Sequence, residues 1–190
     1  MKKSLAMIMM TLAAIIMLAA CMKETTAMKA PSPFGGKADI MYAKALWEVL
    51  AHEKLVGHGR IRTLPYEGME PHGVILEQLS TMVTVKDHTG IVYVKANYMG
   101  DGMTRSGVVN DPDSYLGAYT VMFKREAGYD PETMDWFWVK YKADGSLHTN
   151  PKGMMLAGRV AKGMDTGCIA CHSDADGGDF LFNNTADQLD

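Results

Sequence analysis

One alternating stretch in the middle of the chain decides the fold: Ile91-Val92-Tyr93-Val94-Lys95-Ala96-Asn97-Tyr98. It is rich in β-branched and aromatic residues, and successive side chains of a strand point to opposite faces of a sheet. The alternation that starts at Val92 is apolar and predicts a face buried in the core. The other alternation, which contains Lys95, is mixed.

Four further stretches have the same strand character, at residues 74–79, 82–86, 119–126 and 136–142. Turn signals separate the strands, among them His88-Thr89-Gly90 and Asp144-Gly145. No helical pattern of comparable strength lies between them, which argues against a parallel α/β arrangement. The sequence therefore predicts a mainly β fold of the α+β type, built on an antiparallel β-sheet.

An amphipathic helix is predicted before the sheet, over residues 38–55. Asp39 can cap it, and Ile40, Ala43, Trp47 and Leu50 recur at helical spacing. We expect this apolar stripe to pack on the sheet, with Trp47 as an anchor in the core. The chain would then end in a separate C-terminal segment that follows the sheet.

Residues Cys168-Ile169-Ala170-Cys171-His172 form a CxxCH motif. Two cysteines at this spacing can form thioethers to the vinyl groups of one haem, and the adjacent histidine can bind its iron. A structural zinc would need two further ligands, and a thioredoxin-like dithiol should open a helix early in a βαβ unit. The motif therefore favours one covalently bound haem c, with Cys168 and Cys171 as attachment sites and His172 as the axial iron ligand.

The N-terminal segment is typical of a bacterial lipoprotein signal. Lys2 and Lys3 precede an apolar run, which ends in small residues directly before Cys21. The run is shorter than the roughly 20 residues of a membrane-spanning helix. We expect a signal peptide at 1–20, lipid on Cys21, a tether at 21–37 and one haem domain at 38–190. The expected location is the periplasmic side of a membrane, preferably the outer one.

Composition excludes one class of partner. The formal net charge is −3, and no basic patch of the kind that nucleic acid requires is present. All three cysteines are used by the predicted lipid and haem, so no disulfide is expected.

Several segments resemble, in kind and order, those of the cytochrome P-460 family, which includes the cytochrome c-prime-beta proteins. The similarity covers about residues 40–183. It is carried by Pro71-His72-Gly73, Gly90-Ile91-Val92-Tyr93-Val94-Lys95, Val121-Met122-Phe123-Lys124-Arg125, Gly128-Tyr129-Asp130-Pro131, Asp135-Trp136-Phe137-Trp138, Asp144-Gly145, and the CxxCH motif followed by Asp179-Phe180-Leu181-Phe182.

The resemblance implies a mainly antiparallel sheet with a few helices and one c-type haem. Members of the family oxidise hydroxylamine or bind nitric oxide and carbon monoxide. We therefore expect an exported monohaem cytochrome that binds or redox-converts a small nitrogen ligand, nitric oxide or hydroxylamine, at the iron. Whether it is an enzyme, a haem-dependent oxidoreductase, stays open, as do its redox partner and a homodimeric state.

A lysine bonded to the haem macrocycle marks the family's enzymes. Lys95 matches it best by position, with Lys124 as the second choice, although a lysine on a mixed face can simply be solvated. The roles of other residues stay open. His72 is either a structural residue or a second axial ligand, and three aromatic residues either line an apolar pocket or belong to the core: Phe123, Phe137 and Trp138. A carboxylate could accept a proton at the site, and the candidates are Glu126, Asp130 and Asp165. A distal Met154, Met155 or Met164 would instead give a six-coordinate electron-transfer cytochrome without a substrate.

Overall fold

The computed structural model describes residues 33–182. The predicted signal segment, Cys21 and most of the predicted tether lie outside these residues. The elements, in chain order, are α1 (Lys37–His52), β1 (Tyr66–Glu67), β2 (Ile75–Val85), β3 (His88–Tyr98), α2 (Arg105–Asn110), α3 (Pro112–Tyr115), β4 (Leu116–Lys124), a 3-10 turn (Pro131–Thr133), β5 (Trp136–Lys142), β6 (Ala157–Gly158) and α4 (Cys168–His172).

The strands form one six-stranded antiparallel sheet in which each strand pairs with its neighbour in sequence. The predicted mainly β fold is confirmed at this level. Two predicted strands, 74–79 and 82–86, are one continuous strand, β2, because its pairing with β3 runs without interruption from Ile75 to Val85. The short strands β1 and β6 were not predicted.

The turn predicted at His88-Thr89-Gly90 is wrong. His88 already pairs with Val85, so the hairpin turns at Lys86-Asp87, where Lys86 adopts a φ of +58°. Gly90 serves strand packing instead, because a Cβ atom there would overlap the carbonyl oxygen of Lys124. The second predicted turn is confirmed, since the Gly145 N–H donates to the Lys142 carbonyl at 3.0 Å.

Helix α1 covers one face of the sheet, but its predicted boundaries and stripe need correction. It begins after Gly36, whose N–H donates to the Asp39 carboxylate at 3.2 Å, so Asp39 lies in the first turn and not at the cap position. Ile40 is 37% exposed, and the buried stripe instead consists of Tyr42, Ala43, Leu46 and Leu50. Trp47 packs against Tyr119 and Tyr141, as predicted for a core anchor.

The two faces of the sheet differ in what covers them. The face against α1, here called the helix face, carries Val92, Val94, Ala96 and Tyr98, which are all buried, as predicted. The opposite face, here called the CxxCH face, carries the predicted mixed alternation with Lys95. A second apolar cluster lies on this face, and α4 and residue Phe34 are part of it. Because Phe34 is buried, ordered packing begins before residue 38.

A buried charge network stabilises the end of the helix face. Glu77 is 4% exposed and accepts from the Nε of Arg62 at 2.7 Å and from the hydroxyl of Tyr98 at 2.9 Å. The Tyr98 hydroxyl also accepts from Arg60 at 3.1 Å, and Arg60 in turn donates to Asp113 at 2.7 Å. The charges inside this part of the core are thus paired and hydrogen-bonded.

Candidate functional site

The CxxCH motif forms a helix of a single turn, α4, on the CxxCH face. Gly167 precedes it with a φ of +122°, and a Cβ atom at that position would overlap the side chain of Ala161. Only glycine therefore lets the chain enter α4 here. Cys168 and Cys171 are three residues apart in this turn, which places both thiols on one side of it. Neither thiol forms a disulfide.

His172 is held in one orientation at the end of α4. Its side chain is buried, and its Nδ1 donates to the carbonyl oxygen of Phe180 at 2.7 Å. Since a carbonyl can only accept, Nδ1 carries the proton and Nε2 carries the lone pair. Burial lowers the pKa of His172, so the ring is neutral. The imidazole therefore presents a basic nitrogen in a defined direction.

Residues after α4 fold back to hold this imidazole. The indole N–H of Trp136 donates to the carbonyl of Asp179 at 3.0 Å, and this bond ties the returning segment to β5. Phe180 supplies the carbonyl to His172, and the ring of Phe182 lies 5.1 Å from the His172 ring. The segment 179–182, which carries part of the family resemblance, thus positions the candidate iron ligand.

The ring of His72 contacts the ring of His172. Their ring centroids are 6.0 Å apart at an interplanar angle of 82°. The hydroxyl of Thr120 donates to the Asn97 side chain at 3.2 Å and accepts from Nδ1 of His72 at 3.1 Å. Burial and, after it, nearby positive charge lower the pKa of His72 to about 3. His72 is therefore a neutral, hydrogen-bonded residue of the site.

Lys95 lies on the CxxCH face beside these histidines. It is half-buried, and the charges that act on His72 include its ammonium group. Burial lowers the pKa of Lys95. No acceptor within residues 33–182 bonds its Nζ atom. Lys95 is therefore a partly desolvated amine close to Cys171 and His172.

The second-choice lysine lies elsewhere. Lys124 is at the end of β4, where its Nζ atom donates to the Met134 carbonyl and lies 5.0 Å above the Trp136 ring. The charge of Lys124 does not contribute to the pKa shift of His72 or of His172. Of the two lysines, only Lys95 is therefore brought to the site.

Two of the three candidate lining aromatics face away. Phe123 and Phe137 lie on the helix face, where both rings contact Tyr42, so these two are core residues and do not line the site. Trp138 lies on the CxxCH face with its ring centroid 4.9 Å from that of His172. Strand alternation explains the difference, because Phe137 and Trp138 are consecutive residues of β5.

The candidate carboxylates are engaged or exposed. Glu126 is bound by its neighbour Arg125, Asp130 is buried with Thr133 and Lys162, and Asp165 is exposed. In residues 33–182, no carboxylate is among the groups whose charge acts on Lys95, His72 or His172. The electrostatic character of the site is therefore cationic.

Sequence reasoning did not single out Thr120 or Lys140. Lys95 pairs with Thr120 across β3 and β4, and Thr120 pairs with Lys140 across β4 and β5. Residues paired in this way share a face of the sheet, so both lysines face α4. The sequence could have placed Thr120 and Lys140 at the site only through the cross-strand register. That register can be derived only when the strand ends and the hairpin turn are known.

The Cys168 thiol lacks the environment of a redox-active cysteine. Burial raises the pKa of the Cys168 thiol, whereas reactive cysteines have a lowered pKa. In the described part of the chain, no group of three or more histidine, cysteine or acidic side chains is placed to hold a metal ion by itself. A zinc ion would therefore have to find ligands elsewhere.

Comparison with known proteins adds no relative: no protein-family model matches the chain, and no curated protein or solved structure matches it. Within residues 33–182, no helix has the length and apolar character that crossing a bilayer requires.

Proposed function

We propose that this chain is an exported, lipid-anchored monohaem c-type cytochrome of the P-460-like kind. It would bind or redox-convert a small nitrogen ligand, nitric oxide or hydroxylamine, at the haem iron. Cys168 and Cys171 would hold the haem through thioethers, and Nε2 of His172 would bind the iron. When bound, the haem supplies an open iron position and one-electron chemistry.

The orientation of His172 is the observation that carries the proposal. Histidines that bind a metal nearly always donate their other ring N–H to a carbonyl, a carboxylate or water. His172 makes such a bond to Phe180, and it directly follows two free thiols that lie on one side of a single helical turn. This arrangement is what a c-type haem needs from a polypeptide.

An unsatisfied donor beside His172 supports the same proposal. The indole N–H of Trp138 is buried and has no hydrogen-bond partner in the described residues, although the side chain is only 2% exposed. Such a donor costs about 1–3 kcal/mol when it is left unpaired. A bound group that carries carboxylates, or a ligand on the iron, would supply the missing acceptor.

The environment of Lys95 suits the lysine cross-link that marks the family's enzymes. A buried amine with a lowered pKa spends more time uncharged, and the uncharged amine is the nucleophilic form. Lys95 is therefore a suitable residue to be bonded to the haem edge, as the resemblance implies. His72, whose Nδ1 is already bonded to Thr120, would keep a structural role beside it.

The alternative is an electron-transfer cytochrome with a six-coordinate iron. Met154 is the methionine that favours it, because Met154 packs against the same apolar cluster as Cys168. Met164, by contrast, is 42% exposed. In this case a methionine sulfur would close the iron to added ligands.

An absorption titration with nitric oxide distinguishes the two functions. The purified protein is measured oxidised and reduced, before and after addition of nitric oxide, alongside Met154→Leu. An open iron predicts an immediate spectral change in both proteins. A change that appears only in Met154→Leu would establish the electron-transfer alternative instead.

A further inference from the structure

Three hydrogen-bond donors of the CxxCH face have no acceptor among the described residues. They are the indole N–H of Trp138 and the ammonium groups of Lys140 and Lys95. An indole N–H and an ammonium group can only donate. The buried indole N–H of Trp138 therefore needs an acceptor that residues 33–182 do not supply, whereas the two half-exposed ammonium groups can also bond to water.

The sheet brings these donors together. Trp138 and Lys140 are two residues apart on β5, so their Cα atoms are about 7 Å apart on the same face. Lys95 and Lys140 flank Thr120 across three adjacent strands, which corresponds to a Cα separation of about 10 Å. Long lysine side chains can close most of that gap, so an acceptor between them can contact both.

The charge of this region is opposite to that of the whole chain. The formal net charge of the chain is −3. The positive charges of Lys95 and Lys140 nevertheless both lower the pKa of His72, and the charge of Lys140 also acts to lower the pKa of Cys168. No carboxylate of the described residues offsets them at His72. Half-buried cations without counterions favour an anion from solution, since desolvation strengthens the attraction.

We propose that Trp138, Lys140 and Lys95 form a binding site for a small oxyanion next to His172, with nitrite as the simplest nitrogen-containing member. The inference rests on the proposed function, because the anion would bind beside the iron, and it names the substrate class of that site. Lys140 and Trp138 carry the site even where Lys95 is bonded to the haem edge. Neutral ligands of similar size gain nothing from these charges.

The test is nitrite affinity of the haem-containing protein, read from the Soret band. Lys140→Met removes one donor, and Trp138→Phe keeps an aromatic ring but removes the N–H. Lys142→Met is the matched control, because Lys142 lies on the same strand and face but is exposed. Charge-assisted bonds predict that nitrite binding weakens about tenfold or more in Lys140→Met, with less than about a twofold change in Lys142→Met. Nitric oxide affinity should stay the same in Lys142→Met.

Three results separate the ways of failing. Equal nitrite affinity in Lys140→Met, Trp138→Phe and Lys142→Met would overturn the anion site alone. Equal nitrite affinities together with a changed midpoint potential in nitrite-free Lys140→Met would show that the donors bind the haem's own propionates. This result would also overturn the anion site. A purified protein without any Soret band would overturn the proposed function itself. Thermal unfolding of each variant checks that the fold is retained.

Discussion

His72 and His172 face each other with their rings nearly perpendicular, at an interplanar angle of 82°. They come from distant parts of the sequence, His72 from the turn before β2 and His172 from α4. His172 is fixed through Nδ1 by a backbone carbonyl, whereas His72 is fixed through Nδ1 by the Thr120 hydroxyl. Both rings are neutral, but only His172 follows two thiols.

Their roles can be separated by substitution. We expect His172→Gln to abolish normal iron ligation, while His72→Gln leaves the spin state of the oxidised haem unchanged. Loss of the bond to Thr120 should lower the stability of His72→Gln by about 1 kcal/mol. Electron paramagnetic resonance of the ferric protein measures the spin state. A conversion from low spin to high spin in His72→Gln would instead identify His72 as the second axial ligand.

Lys95 decides between an enzyme and a binder. If its amine is bonded to the haem edge, the reduced protein should absorb far to the red of an ordinary c-type haem, because the conjugation of the macrocycle is altered. Lys95→Leu should restore the ordinary spectrum and lower hydroxylamine turnover. Lys124→Leu is the control, since Lys124 lies over Trp136 and away from the histidines. An ordinary wild-type spectrum, with only two thioethers in a haem-peptide digest, would remove the support for hydroxylamine oxidation.

The buried network on the helix face predicts a large effect on stability. Glu77→Gln keeps the shape of the side chain but leaves Arg62 and the buried Arg60 with less negative charge. Removing one partner of a buried ion pair costs about 3 kcal/mol or more. Glu48→Gln, on the exposed side of α1, should change stability by less than about 0.5 kcal/mol. Urea unfolding measures both, and equal midpoints would contradict the account of this network.

The membrane anchor is a separate prediction, because Cys21 lies outside the described residues. Lipid on Cys21 should drive the native protein into detergent, since buried acyl methylenes supply the binding energy. Cys21→Ser should stay in the aqueous phase of a detergent partition. Aqueous wild-type protein would argue against the lipoprotein signal.

Local patterns predicted much of the fold. Alternation identified the strands and the buried side of β3, and helical spacing identified α1. It failed at the first hairpin, where Lys86-Asp87 has no glycine and Gly90 is needed for close packing against β4. The two-residue strands β1 and β6 are too short for any periodicity to show.

The site was predictable only in its contiguous part. The CxxCH motif places two thiols and an imidazole by spacing alone, but the environment of that imidazole comes from distant strands. The register of β3, β4 and β5 brings three residues to the side of the sheet that holds this imidazole: Thr120, Trp138 and Lys140. A shift of β4 and β5 by one residue would turn these side chains to the helix face. The half-burial of Lys95 likewise depends on tertiary packing, which the pattern of its own strand does not show.

Covalent haem attachment is the most direct test of the central claim. The protein, made in a host that matures c-type cytochromes, is denatured, extracted with acidic acetone and weighed intact by mass spectrometry, beside the double variant Cys168→Ser, Cys171→Ser. We predict that the wild-type polypeptide keeps the mass of one haem through denaturation, because thioether bonds survive the loss of the fold, while the double variant does not. Wild-type protein that releases its haem into the organic phase, or carries none, would contradict the account.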